Sequence, residues 1–259
     1  MKFFFFSDCH GNKDALQVAL DKAGFDKNNV NHILVGLGDY VDRFNQPQEV
    51  IDYLNSIKRK ILVLGNHEEL LIDCINRGYP LSYDWSNGTA QTIIDLAPNT
   101  KNFAVACAVA YEKVKDFIDG MVNYIELKNH IGVHSFVPLK CNDDLPAYYT
   151  RNRKFEKRLD WRDATNKEWQ DSRWGNPYEL ARQGLLPDKK LIFGHFHTSY
   201  PRAKYEFQRE FGPGTNFDIY YGDGYIAIDG CIAAYNGQIN VLIIEDEFIN
   251  DERKNINCS

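Results

Sequence analysis

Long apolar runs are missing from this chain. The opening Met-Lys-Phe-Phe-Phe-Phe gives way to Ser7 and Asp8, too short for the apolar core of a secretion signal and far too short to cross a bilayer. The expectation is a cytoplasmic protein with no membrane partner. Basic charge is not in excess either: 30 Lys and Arg stand against 36 Asp and Glu, a formal net charge of −6, which argues against a surface that grips nucleic acid. Paired cysteines are absent. Cys9, Cys74, Cys107, Cys141, Cys231 and Cys258 are scattered without a CxxC spacing, as expected of mostly buried free thiols in a reducing compartment. No repeat, low-complexity tract or linker marks a boundary, so a single domain is expected over residues 1–259. Within it, residues 140–185 are polar, aromatic and arginine-rich without a clean period, which predicts a cap-like segment of short helices and loops.

What the chain does have is a series of short apolar runs, each closed by polar or glycine-rich residues: Phe3–Phe6, Ile33–Leu37, Ile61–Leu64, Ile131–Val133, Leu191–Phe193, Tyr225–Ile228 and Ile239–Ile244. Runs bounded this way fit strands buried on both faces. Between the first three lie helical patterns. Leu16, Ala19, Leu20 and Ala23 share a face before Gly24, and Pro47 opens a segment with Val50, Ile51, Leu54 and Ile57 on one side. Further helices are predicted from Glu68 to near Gly78 and from Asn102 to Phe117. The alternation of strand and helix predicts an α/β fold with parallel pairing and right-handed crossovers.

In a parallel sheet, the loops leaving the carboxyl ends of the strands gather on one edge. This chain puts its most reactive side chains there repeatedly. Asp8-Cys9-His10 follows the first run, "GDYVDR" the second, "GNHE" the third, and further on Val133 leads to His134 and Phe193 leads to "GHFH". Carboxylate, imidazole and amide oxygen in such a cluster suit Mn²⁺, Fe²⁺ or Zn²⁺, and the donors suffice for two divalent metal ions. "GLGDYV" lacks the third glycine and the helix of a dinucleotide fingerprint. His32 and His130 flank strands at the wrong end and are expected to be structural, and strand alternation should point Cys9 away from its neighbours.

The ordered string D-x-H, GDxxDR, GNHE, V-H and GHxH, each after a strand, resembles the calcineurin-like metallophosphoesterase superfamily. Within it, "GDYVDR" and "GNHE" are similar to the bacterial and phage branch of the serine/threonine phosphoprotein phosphatases. The likeness runs from Phe3 to about Ile244. It implies a four-layer α/β/β/α sandwich with the metal site at the carboxyl ends of the strands. It implies Asp8 and His10 on one metal, Asp39 bridging both, Asn66, His134 and His195 on the other, and His197 closing the first metal's set. Manganese is the metal expected first.

By the same resemblance His67 is a general acid, Asp42 its carboxylate partner and Arg43 a phosphate-binding fork. A second phosphate arginine is expected from the cap, Arg173 in preference to Arg162, and "WSNGT" resembles a W-x-N-G-G segment that would line the site through Asn87. Three departures bear on the substrate: Phe44 stands where GDxxDRG ends in glycine, Leu64 stands where an arginine commonly precedes GNHE, and GHFH carries two histidines. The expected activity is hydrolysis of a phosphomonoester, on a phosphorylated protein or a small phosphoester. The alternatives are a symmetrical dinucleoside tetraphosphatase, a phosphodiesterase, or a non-catalytic scaffold, against which the presence of His67 speaks.

Overall fold

The computed structural model describes residues 1–141 and 153–249. Its strands are β1 (Lys2–Phe6), β2 (His32–Gly36), β3 (Lys60–Leu62), β4 (Tyr124–Glu126), β5 (His130–Val133), β6 (Leu139–Cys141), β7 (Phe155–Lys157), β8 (Lys190–Phe193), β9 (Tyr220–Gly222), β10 (Tyr225–Ala227) and β11 (Leu242–Glu245). The helices are α1 (Lys13–Lys22), α2 (Pro47–Asn55), α3 (Asn66–Arg77), α4 (Ser82–Asn87), α5 (Thr89–Leu96), α6 (Phe103–Asp119), α7 (Asn166–Ser172), α8 (Pro177–Arg182) and α9 (Ser199–Glu206).

Two sheets form, one in the order β11-β1-β2-β3 and one in the order β4-β5-β8-β10-β9, with β6 and β7 as a separate ribbon. Strands β1, β2 and β3 run parallel, as do β5, β8 and β10, while β11, β4 and β9 add antiparallel edges. The four opening phenylalanines show how these layers stack. Side chains alternate along a strand, so Phe3 and Phe5 meet Ile125, Ile192 and Ile226 between the sheets. Phe4 and Phe6 instead pack outward with Leu16, Leu20, Leu54 and Leu71 of the helices. On the far side of the second sheet, Ile131, Leu191 and Phe193 are covered by Trp161, Trp169, Tyr178 and Leu180. Helices, sheet, sheet and helices are therefore the four layers, as expected.

The differences from the sequence expectation have local causes. The run Ile239–Ile244 pairs with β1 only from Leu242, and ahead of it the Asn240 side-chain amide donates to the carbonyls of Phe217 and Ile228. "WSNGT" breaks one helix and starts the next, with Gly88 at φ +92° between α4 and α5. Residues 153–185 supply much of the outer core through Trp161, Trp169 and Tyr178. Residues 142–152 of the expected cap, and Cys258, lie outside the described residues. Cys9, Cys74 and Cys107 are buried, Cys141 and Cys231 are half-buried, and all five are free. No helix among the described residues is long and apolar enough to cross a membrane.

Phe5 is fully enclosed between the two sheets. Phe5→Ala should lower the unfolding free energy by about 3–5 kcal/mol in denaturant titration. Val30→Ala, at a residue 70% exposed, should stay within about 0.5 kcal/mol of the parent.

Candidate active site

The strand ends turn sharply, and they do so on residues other than glycine. Asp8, His10, Asp39, Asp42, Arg43 and His195 all have positive φ, between 47° and 71°. For side-chain-bearing residues this region costs about 1–2 kcal/mol each, and it persists only where surrounding bonds impose it. Here they do. Asp8 N–H donates to the Gly38 carbonyl (3.0 Å), His10 N–H to Asp39 (3.0 Å), Gly11 N–H to Tyr40 (2.7 Å) and Gly194 N–H to His134 (2.9 Å), so each loop is stitched to another. Glycine is required where these loops touch. A methyl on Gly38 would lie 2.6 Å from the Gly65 α-carbon, and one on Gly65 would lie 2.3 Å from Asp39 Oδ1.

Beneath the loops lies Glu68, fully buried in the first turn of α3. Its Oε2 accepts the amides of Asp39 (2.9 Å) and Gly65 (3.0 Å), and its Oε1 those of Tyr40 (2.7 Å) and Val41 (3.3 Å). Burial, then the charge of Asp39, raise its carboxyl above the usual range, and the amides of Tyr40 and Asp39 oppose them.

Asp39 is the centre of the cluster. Its Oδ2 lies 3.9 Å from His10 Nε2 and 3.9 Å from His67 Nε2, while Oδ1 lies 3.4 Å from His134 Nε2. Two groups of donors able to hold a cation share it, His10–Asp39–His67 and Asp39–His134–His195. Asp8 adjoins the first, with Oδ1 3.9 Å from His10 Nε2 and Oδ2 accepting the His195 amide at 2.9 Å. Asn66 joins the second, its Oδ1 lying 2.7 Å from His134 Nε2 and 2.9 Å from His195 Nδ1.

The imidazoles are oriented from behind. His10 Nδ1 faces the Val41 carbonyl at 3.1 Å and His134 Nδ1 the Leu37 carbonyl at 2.7 Å, so each Nδ1 carries the proton and each Nε2 offers a lone pair to the cluster. The lone pairs of Asn66 Oδ1 and His134 Nε2 then converge with no hydrogen between them. Such a contact repels unless a cation lies among the donors, and this donor set of carboxylates, imidazoles and an amide oxygen fits two divalent ions.

Electrostatics separate the histidines by role. Burial lowers His10 and His134, and brings His195 down to about 3, which keeps their rings neutral and able to ligate. Burial also acts on His67, but the carboxylates of Asp39 and Asp42 outweigh it and raise that ring above its ordinary value. In Asp39, burial acts upward and the electrostatic pull of the surrounding His134, His67 and His10 rings outweighs it, holding the carboxyl below its normal range.

His67 Nδ1 donates to Asp42 Oδ2 at 2.7 Å, and its Nε2 faces the guanidinium of the exposed Arg43 at 3.3 Å. Asp42, wholly buried, also takes the hydroxyls of Thr89 (2.6 Å) and Thr92 (2.8 Å). Sequence reasoning missed both threonines, whose spacing of three at a helix start was the available signal. It also missed Asp229, a buried carboxylate just beyond β10: burial and then the Asp229 charge raise Asp8, and burial pushes the Asp229 carboxyl itself up to about 6. "AIDG" repeats the pattern of an acid after a strand that marked the other loops.

Four expected residues are engaged elsewhere. Arg173, 4% exposed, donates to the Leu64 carbonyl at 3.1 Å, to Glu69 and to Asn123, so its fork is spent on the chain rather than left open for phosphate. A buried guanidinium needs such partners. Arg162 grips Glu126 with two nitrogens (2.7 and 2.6 Å) and lies over the Trp161 ring. The Asn87 amide caps its own helix on the Tyr83 carbonyl at 2.9 Å. His197 turns to Ser199 Oγ (2.9 Å) and Glu210 (3.4 Å) against Phe211, and belongs to neither of the two donor groups around Asp39. As expected, His32 and His130 make structural contacts, with Asp26 N–H and Asp246, and Cys9 points away to the Tyr40 carbonyl.

Comparison with known proteins follows the same lines. A curated relative, the symmetrical bis(5'-nucleosyl)-tetraphosphatase of Buchnera aphidicola, is 38% identical over 73 residues, 28% of this chain and 26% of the relative. The chain therefore matches about a quarter of that relative's length. A solved structure of a candidate diadenosine tetraphosphatase aligns with 96% of this chain and 94% of its own at 16% identity and TM-score 0.53. A cold-active protein-tyrosine phosphatase of a psychrophilic Shewanella aligns with 93% of this chain and 75% of its own, at 15% identity and TM-score 0.50. At these identities the two structures speak for the fold alone. The family model of the calcineurin-like phosphoesterases matches residues 1–221, and the chain belongs to that family.

Proposed function

We propose that the protein is a metal-dependent phosphomonoesterase acting on phosphoserine or phosphothreonine in proteins. The observation that carries this reading is the placement of the His67–Asp42 pair and Arg43 beside a carboxylate, Asp39, shared by two cation-binding groups. Asp8, His10 and Asp39 would hold one ion, and Asp39, Asn66, His134 and His195 the other, with manganese the first candidate and iron or zinc the alternatives. Bound there, two divalent ions would polarise phosphoryl oxygens and lower the pKa of a bound water.

The chain's own groups supply the rest. Arg43 presents its planar fork to the phosphate oxygens. With the Arg43 guanidinium turned from Nε2 to the phosphate, His67 carries a proton on Nε2 and gives it to the leaving oxygen, and Asp42 fixes the ring by accepting from Nδ1–H. The engaged state of Arg173 leaves Arg43 as the arginine available to phosphate. A second reading, hydrolysis of a symmetrical dinucleoside tetraphosphate, is favoured by the partial likeness to the Buchnera enzyme. We place the protein in the cytoplasm, in keeping with free cysteines at all five described positions.

Stripping the protein with a chelator should abolish hydrolysis, and Mn²⁺ should restore it better than Mg²⁺, which prefers all-oxygen sites and holds its waters. Full activity in excess chelator, with no metal found by elemental analysis, would end the two-ion reading. His67→Asn should keep its metal content and lose about 10²–10⁴-fold in rate on a poor leaving group, but far less on a nitrophenyl phosphate. Assayed on phosphopeptides, a dinucleoside tetraphosphate and a diester, the parent should favour the phosphopeptide. Arg43→Ala should cut kcat/KM for that substrate by about 10- to 100-fold while diester hydrolysis hardly changes. Preference for the tetraphosphate would move the assignment to the second reading.

A further inference from the structure

The helix α5 meets the catalytic loop end-on. Gly88, just before it, sits so close that a methyl on its α-carbon would lie 2.5 Å from the Arg43 nitrogen. Thr89 and Thr92, one turn apart at the start of α5, are completely buried and both point to Asp42. Thr89 Oγ1 donates to Asp42 Oδ2 at 2.6 Å, the oxygen that also accepts His67 Nδ1–H at 2.7 Å. Thr92 Oγ1 donates to Oδ1 at 2.8 Å and accepts the Asp42 amide at 3.1 Å. Both carboxylate oxygens and the amide of one residue are therefore held by a single helix end.

We propose that Thr89 and Thr92 are positioning residues for phosphoester hydrolysis, clamping the Asp42 carboxylate so that it sets the orientation of the His67 ring. The geometry needs such a clamp. The terminal torsion of an aspartate is soft, so a carboxylate held only by His67 could rotate and take the imidazole with it. Threonine is stiff at χ1, and two hydroxyls reaching the two oxygens from one helix remove that rotation. Thr92 does more: by accepting the Asp42 amide it ties down a residue at φ +71°, a backbone conformation that the side chain alone disfavours.

This proposal rests on the reading of His67 as proton donor, and it competes with a plainer role, in which the hydroxyls only satisfy a buried carboxylate. The two differ in what is lost with a hydroxyl. A purely satisfying hydroxyl affects stability and lowers the rate for every substrate alike. A clamp acting through His67 affects kcat only where the leaving group needs a proton.

The test compares Thr89→Val and Thr92→Val with the corresponding Ser variants, in the parent and in His67→Asn, on an alkyl phosphate and on nitrophenyl phosphate, with metal content measured for each. Expected is a loss of about 10- to 100-fold in kcat on the alkyl ester for each Val variant. KM, metal content and the nitrophenyl rate should stay close to the parent, and the Ser variants should recover most of the loss. On the His67→Asn background the Val variants should cost nothing further, because the group they orient is gone. If His67→Asn itself slows both esters equally, the proton-donor reading and this proposal fail together. If His67→Asn behaves as expected but the Val variants slow both esters alike, or add their loss to that of His67→Asn, the proposal alone is overturned. Ala variants at the same positions carry the same comparison should a Val variant fail to fold.

Discussion

One buried carboxylate organises the loops on which the site stands. Glu68 accepts amides from the loop after β2 and from the turn that starts α3, and so locks Asp39 to Asn66 and His67 through backbone rather than side chain. The left-handed turn at Asp39 lies within those bonds, and those at Asp42 and Arg43 follow directly beyond them. Without Glu68, four amides in a dry interior would lack a partner, each at a cost of about 1–3 kcal/mol, and the turns would lose what imposes them. The ligand cluster is thus only as ordered as a residue that is not one of its donors.

The same burial has opposite consequences for neighbouring rings, and the partner decides which. His10 and His134 face peptide carbonyls, which orient them without adding a charge, and burial keeps them neutral. All three rings lie near Asp39, but His67 also bonds the Asp42 carboxylate, and the two acids together hold it toward its protonated form. Ligation needs a lone pair and acid catalysis needs a proton, so a site built from one residue type can do both when the groups behind the rings differ.

Much of this was legible in the chain. Asp8, His10, Asp39, Asn66, His67, His134 and His195 each follow an apolar run directly, and a parallel sheet carries such residues to one edge whatever the packing around them. The alternating layers of Phe3–Phe6 follow from the same geometry. What could not be read depended on distant partners. Arg173 is claimed by Glu69 and the Leu64 carbonyl more than 100 residues earlier, and no local pattern announces that meeting. His197 belongs to the same tetrapeptide as His195, yet its ring is drawn to Ser199 and Glu210. Thr89 and Thr92 look like ordinary residues at a helix start until the helix end is seen against the loop.

The contact between Gly38 and Gly65 has an evolutionary side. With their α-carbons too close for even a methyl between them, neither position can accept a larger residue unless the two strand ends separate, and separation would pull the Asp39 carboxylate from the His67 amide. No such contact constrains exposed positions such as Val30 and Leu159, whose side chains stand in solvent. A lineage of such chains would therefore vary over its surface long before it could change the spacing of these strand ends.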